Sequence, residues 1–153
     1  MSVRIIRGQL EHPKVQHFIQ AHLTQMHQQS PPQSVHAIGI ASLQSEDIQF
    51  WGIWEKDQIV ACGALKVLNH THGEIKSMRS APEYRGQGLG KMILTHIIDQ
   101  AKRLGMQRLS LETGTQAEFS IARMLYAKYG FQVCEPFANY QLDVNSVFMT
   151  KTL

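Results

Sequence analysis

Cysteine is scarce. The two present among 153 residues, Cys62 and Cys134, are too far apart for a C-x-x-C redox pair and too few for a disulfide framework, so both read as buried thiols. Long apolar runs are missing as well. No stretch approaches the roughly 20 residues needed to span a bilayer. The opening MSVRIIRGQLEHP alternates apolar and polar residues where a secretory signal would carry an apolar run of ~7 to 15, so the expected location is the cytoplasm, with no membrane partner. Neither sign of charge dominates: fifteen basic residues face twelve acidic ones, for a net +3. The longest basic groupings are pairs such as Lys102 and Arg103, which leaves no basic stripe for a nucleic-acid backbone. Eight histidines are present, but the closest pair, His70 and His72, has no carboxylate or cysteine cluster beside it to complete a ligand set. It reads as a solvent-facing turn, and no metal is expected.

What remains is an ordinary globular composition, 43% hydrophobic and 18% charged, in a length suited to one domain over residues 1–153 that buries about two-thirds of its unfolded surface. VRIIR at 3–7 reads as a strand. Val15, Phe18, Ile19, Leu23 and Met26 recur at helical spacing after Pro13, and the prolines of QQSPPQS break that helix. A second short helix is expected near VHAIGIASL. QFWGIWE and QIVACGALKVL flank KDQ as a hairpin, and EIKSMRS continues the meander. Trp51 and Trp54 fall on opposite faces of their strand, so at most one is expected in the core.

Leu89, Ile93, Ile97, Ala101 and Leu104 mark the best-defined helix, with Gly105 as its C′ residue. QRLSLET is the next strand. Thr115 with Glu118 spells a capping box for a helix carrying Phe119, Ala122, Leu125 and Tyr126, which Gly130 ends. FQV and SVFMTKTL close the chain. The order predicts an α/β domain with a mixed sheet.

The most informative stretch is YRGQGLGKM, where Gly86, Gly88 and Gly90 alternate between a strand and a helix. A helix start offers free amides and the positive end of a dipole, and glycines remove the side chains that block approach. Together these describe an anion site, to which Arg85 and Lys91 add charge. A dinucleotide fingerprint would need glycine at Lys91 or Ile93. A P-loop would need glycine at Arg85 and Ser or Thr at Met92. Neither register fits.

The pattern that does fit is R-x-x-G-x-G, as Arg85, Gly88 and Gly90. With ARMLYAKYGF further on, it resembles the GNAT superfamily of N-acetyltransferases over most of the chain. That resemblance implies a mixed, mainly antiparallel central sheet flanked by helices, with acetyl-CoA as cosubstrate. It also implies transfer of the acetyl group to a small-molecule or peptide amine by direct attack in a ternary complex, and closing strands that often pair in a homodimer. Carried over by position, Gly86, Gln87, Gly88, Leu89, Gly90 and Lys91 face the diphosphate. The strand segment Met78, Arg79 and Ser80 pairs with the pantetheine arm through its main chain.

Tyr126 stands where many relatives place the general acid, although it also suits packing against Leu125 and Tyr129. Glu74 leads as general base, with Glu112 as runner-up. Phe119 replaces a common asparagine that contacts CoA and is expected to line the pantetheine channel, and Phe137 and Tyr140 offer an acceptor wall. The competing reading is a non-catalytic CoA-binding module, which keeps the loop without releasing thiol.

Overall fold

The computed structural model describes residues 2–153. Its strands are Arg4–Arg7 (β1), Ile48–Glu55 (β2), Gln58–Val67 (β3), His72–Ser80 (β4), Arg108–Gly114 (β5), Gln132–Cys134 (β6) and Ser146–Thr152 (β7). Its helices are Pro13–Gln29 (α1), Ile40–Leu43 (α2), Leu89–Arg103 (α3) and Ser120–Lys128 (α4). The strands form one sheet ordered β1-β2-β3-β4-β5-β7-β6. Only β4 and β5 pair in parallel, and all other neighbours are antiparallel. The mixed sheet is the one the element order predicts, and its mainly antiparallel pairing between helices is the one the resemblance implies.

Both faces of the sheet are covered. On one side Val15, Phe18 and Ile19 of α1 and Leu43 of α2 pack on Phe50, Trp54, Cys62 and Ala64. On the other, Ile93, Leu94, Ile97 and Ala101 of α3 pack on Trp51, Ile53, Ala61, Leu65 and Ile75. Trp51 and Trp54 therefore do point to opposite faces, yet both are buried, at 3% and 5% exposure. The expectation that only one belongs to the core fails because no face of β2 is left to solvent. Cys62 is buried as expected, whereas Cys134, on the edge strand β6, is only partly covered.

Helix ends follow local chemistry. The ring Nδ1 of His12 accepts the Lys14 amide at 3.1 Å ahead of Pro13. At the end of α3, Gly105 adopts φ +81°, which lets the Met106 amide reach Ala101 O at 3.1 Å and its own amide reach Lys102 O at 3.0 Å, so the last carbonyls are satisfied. The predicted capping box at Thr115 and Glu118 does not form. The Thr115 hydroxyl donates instead to Val144 O at 3.0 Å, a single 3₁₀ turn intervenes at Ala117–Phe119, and α4 starts at Ser120 without a side-chain cap.

Two irregularities shape the site. The β4–β5 ladder has four register pairs, ending at Ile75 with Leu111, although β4 runs on to Ser80 and β5 to Gly114. Beyond that point the two strands part. Just there β4 carries an extra residue: the register with β3 shifts between Cys62 and Ala64, and Ser77 sits at φ +59°, the mark of a bulge. Glu74 and Lys76 stand opposite Lys66 and Ala64, and Arg79 opposite Cys62, so all three lie on the α1 face. Ile75 and Met78 pack with the α3 side.

Candidate active site

The parted strands open a cleft of about 550 Å³ that runs from the start of α3 to the underside of α1. Its outer end is the glycine loop. Gly86 and Gly88 hold φ +79° and +81°, a left-handed backbone that costs other residues roughly 1–2 kcal/mol. A Cβ built on either would meet nothing within 4 Å, so the requirement is conformational and the space beside them is open. Gly90 differs: it lets α3 approach Leu125 of α4, where a Cβ would come within 3.2 Å.

Among the described residues, the amides from Gly86 to Lys91 make no main-chain hydrogen bond. The first helical one joins the Met92 amide to Gly88 O at 3.0 Å. Except at Gln87, the residues carrying these free donors border one mouth of the cleft together with Arg85 and Lys91, whose side chains are exposed, and with the helix dipole this suits a diphosphate.

Of the residues expected to hold a coenzyme, Met78, Arg79, Ser80, Arg85, Gly86, Gly88, Leu89, Gly90, Lys91, Phe119 and Tyr126 all border this cleft, and Gln87 does not. Phe119 packs over Gly114, where any Cβ would overlap its ring. Arg123 Nη1 fixes the turn beneath it by donating to Gly114 O at 2.6 Å and Gln116 O at 3.0 Å. Tyr126, on α4, is 6% exposed. Burial, with the charge of Glu112 added, pushes its hydroxyl well above the usual phenol range, so it keeps its proton across neutral pH.

Where the β4–β5 ladder ends, on the α1 face, lies a second, small cavity of about 60 Å³ bordered by Glu74, Lys76, Glu112, His36, Met26 and Tyr140, among others. It brings both candidate bases together in different states. Glu74 is 3% exposed and bonded through one oxygen: the Tyr140 hydroxyl donates to its Oε2 at 2.5 Å, and Lys76 Nζ lies 3.3 Å from Oε2 and 3.0 Å from Tyr140 Oη. Glu112 has one partner, the Ser146 hydroxyl at 2.8 Å. Burial pushes its carboxyl up to about 7, helped by the charges of Glu74 and Asp143 and opposed by the Ser146 bond and Lys76.

Tyr140 also stacks edge-on against His36 and Phe137, at 4.9 and 5.1 Å between centroids; of the two residues expected to form an acceptor wall, Tyr140 borders the small cavity and Phe137 borders neither. His72 departs from the solvent-facing turn: it belongs to β4, and its Nε2 lies 2.6 Å from Ser110 Oγ.

Sequence reasoning missed Lys76, His36 and Ser146, and the α1 residues His22, Gln25 and Met26 that border the cleft. None carries a local motif. His22 and Met26 do fall on one helical stripe, the only signal that would have grouped them.

An open sheet parted at its single parallel pair, beside a helix entered through glycines, is the arrangement of the acyl-CoA N-acyltransferases. A Klebsiella pneumoniae structure provisionally named as one superposes with a TM-score of 0.79 and 29% identity over 99% of this chain and 97% of its own. The chain belongs to the acetyltransferase (GNAT) family, whose family model matches residues 14–131, and it is an acetyltransferase. It is 52% identical over 135 residues, 88% of this chain and 89% of the other, to the uncharacterized N-acetyltransferase YsnE of Bacillus subtilis. The N-acetyltransferase PaiA of Thermoplasma acidophilum, solved in complex with coenzyme A, shares the fold at a TM-score of 0.72, with 19% identity and each chain covered in full.

Proposed function

We propose that the protein transfers an acetyl group from acetyl-CoA to an amine by direct attack, with Tyr126 as general acid and Glu112 as general base. The observation that carries the reading is the cleft itself. It has unbonded amides and fixed positive charge at one end, a strand edge freed from pairing along its length, and a buried phenol in its wall, while Glu112, the carboxylate of raised pKa whose charge reaches that phenol, borders the small second cavity.

Acetyl-CoA supplies the activated acetyl group. The Gly86–Lys91 amides hold the diphosphate, with Arg85 and Lys91 beside them. The main chain of Met78 to Ser80, open on the side where β5 has moved away, offers an edge for the amides of the pantetheine arm. A β4 amide near Met78 is placed to polarise the thioester carbonyl. Tyr126, held in its protonated form by burial, donates to the departing thiolate.

Glu112 is the better base because its carboxyl is not tied up in an ion pair and titrates near neutrality. Glu74, neutralised by Lys76 and bonded by Tyr140, holds the shape of the acceptor end. Direct attack is favoured because neither cavity is lined by a cysteine. Cys62 is the nearest, but its thiol is bonded to Ser77 O at 3.1 Å and pushed by burial up to about 12.

The test is calorimetry with acetyl-CoA and CoA, followed by thiol release against a panel of amines. Tyr126→Phe is expected to lower turnover at least ~100-fold, the scale of a general acid, while acetyl-CoA affinity stays within a factor of about three. Unchanged turnover removes the acid role. A protein that ignores both thioester and CoA removes the whole reading, and one that binds them yet never releases thiol is a binding module.

A further inference from the structure

Arg79 is a partly buried cation without an anion. It sits on the α1 face of β4, with its guanidinium 5.2 Å over the Phe18 ring and Nη1 donating to Gln25 Oε1. No carboxylate lies within ion-pair distance among the described residues. Its Nε is buried and has no hydrogen-bond partner. Beside it on the same wall of the cleft is His22, which burial and the Arg79 charge hold neutral, down to about 4. A desolvated guanidinium costs free energy unless an acceptor completes it, and its planar fork matches a carboxylate. Phe18 and Gln25 orient this group, the residue borders the cleft, and its buried Nε is left without an acceptor.

Two ligands bring anions into this cleft: the coenzyme, through its phosphates, and the acceptor. The body of α3, the helix that opens at the diphosphate site, packs on the opposite face of the sheet from Arg79, although Arg79 borders the same cleft as the glycine loop and feels the charges of Arg85 and Glu83 at a distance. The acceptor end lies on the same face as Arg79. Glu74 and Lys76 precede it along β4 on that face, within roughly 10 Å of Lys76 at the usual strand rise, and Met26 of α1 borders both the small cavity and the cleft.

We infer that Arg79 binds a carboxylate of the acceptor, so that the substrates are amines that also carry a carboxylate, the amine turned toward Glu112 and the acid toward Arg79. This rests on the transferase reading above and deepens it. The Glu112 carboxylate and the Arg79 guanidinium then form a polarity across the acceptor site that matches an amino acid and opposes a simple diamine.

The experiment compares the twenty standard L-amino acids with their carboxamides as acceptors, in thiol release and in calorimetric titration of CoA-loaded protein. The wild type is expected to favour the free carboxylates by at least tenfold in kcat/KM and in affinity. Arg79→Gln is expected to abolish that preference through KM, and acetyl-CoA affinity measured beside it separates an acceptor contact from a phosphate contact. Arg79→Lys keeps the charge without the fork and is expected to retain part of the preference, which separates recognition from a folding defect.

Equal use of acids and carboxamides by the wild type overturns the inference and leaves the transferase standing. Loss of acetyl-CoA affinity in Arg79→Gln overturns it in favour of a phosphate contact. If no acceptor releases thiol, the transferase reading falls, and the titration still decides whether the carboxylate is bound.

Discussion

Burial lifts the Glu112 carboxyl from an ordinary 4.5 to about 7, while a hydroxyl from β7 pulls the other way. As a base it acts deprotonated, so kcat/KM is expected to rise with pH through about 7 and level off above it. Glu112→Gln should lower turnover and remove that limb of the profile. The same shift carries a stability signature of opposite direction. Between 4.5 and about 7 the folded chain holds a proton that the unfolded chain has released, so stability falls as pH rises through that window and the loss is complete above it. Glu112→Gln should therefore melt several degrees higher than the wild type at pH 8, with no such gain at pH 4. Calorimetry at the two pH values checks it, and a lower melting point at pH 8 would contradict the assigned burial cost. In the sequence, Glu74 and Glu112 look alike, two carboxylates on neighbouring strands. What separates them is Tyr140, 66 positions from Glu74, and no pattern of local spacing predicts which carboxylate a distant phenol will meet.

The loop that opens α3 was legible because its requirement is local: two left-handed positions and free amides need glycine wherever the chain later packs. Substituting Gly88→Ala adds a methyl group to a residue at φ +81°, which strains the helix start and disturbs the amides that follow. Acetyl-CoA affinity is expected to fall about tenfold or more and the melting point by a few degrees. Calorimetry and thermal denaturation read both, and an unaltered affinity would separate the loop from the coenzyme. The helix period of α3 and the strands of the meander were readable for the same local reason. The start of α4 was not. Thr115 had a competing acceptor in Val144 O, and the turn is held by Arg123 reaching back to Gly114 and Gln116. The β4 bulge left no trace either, because its left-handed residue is Ser77, where glycine or asparagine would have announced it.

Across the whole molecule, segments remote in sequence close the acceptor end. Ser34, in the stretch after α1, donates to Asp143 Oδ2 at 2.7 Å and accepts from Asn145 Nδ2 at 3.3 Å, fastening it to the β6–β7 connection that carries Tyr140. Asp143→Ala removes the shorter of these two bonds without touching the glycine loop, so the acceptor KM is expected to rise severalfold while acetyl-CoA affinity and melting point stay close to wild type. An unchanged KM would mean that the connection keeps its place without the bond. The sheet itself has a weak line. Its two sides, β1 to β4 and β5 to β6, meet in the sheet through four parallel register pairs and the bonds at Thr71 just before them, and the remaining half of that border hangs open. An extended ligand lying along it would act as a borrowed strand, lending the missing rungs of the ladder. The cohesion of the fold would then depend on what it carries, the filled protein resisting amide exchange along β4 and β5 where the empty one yields.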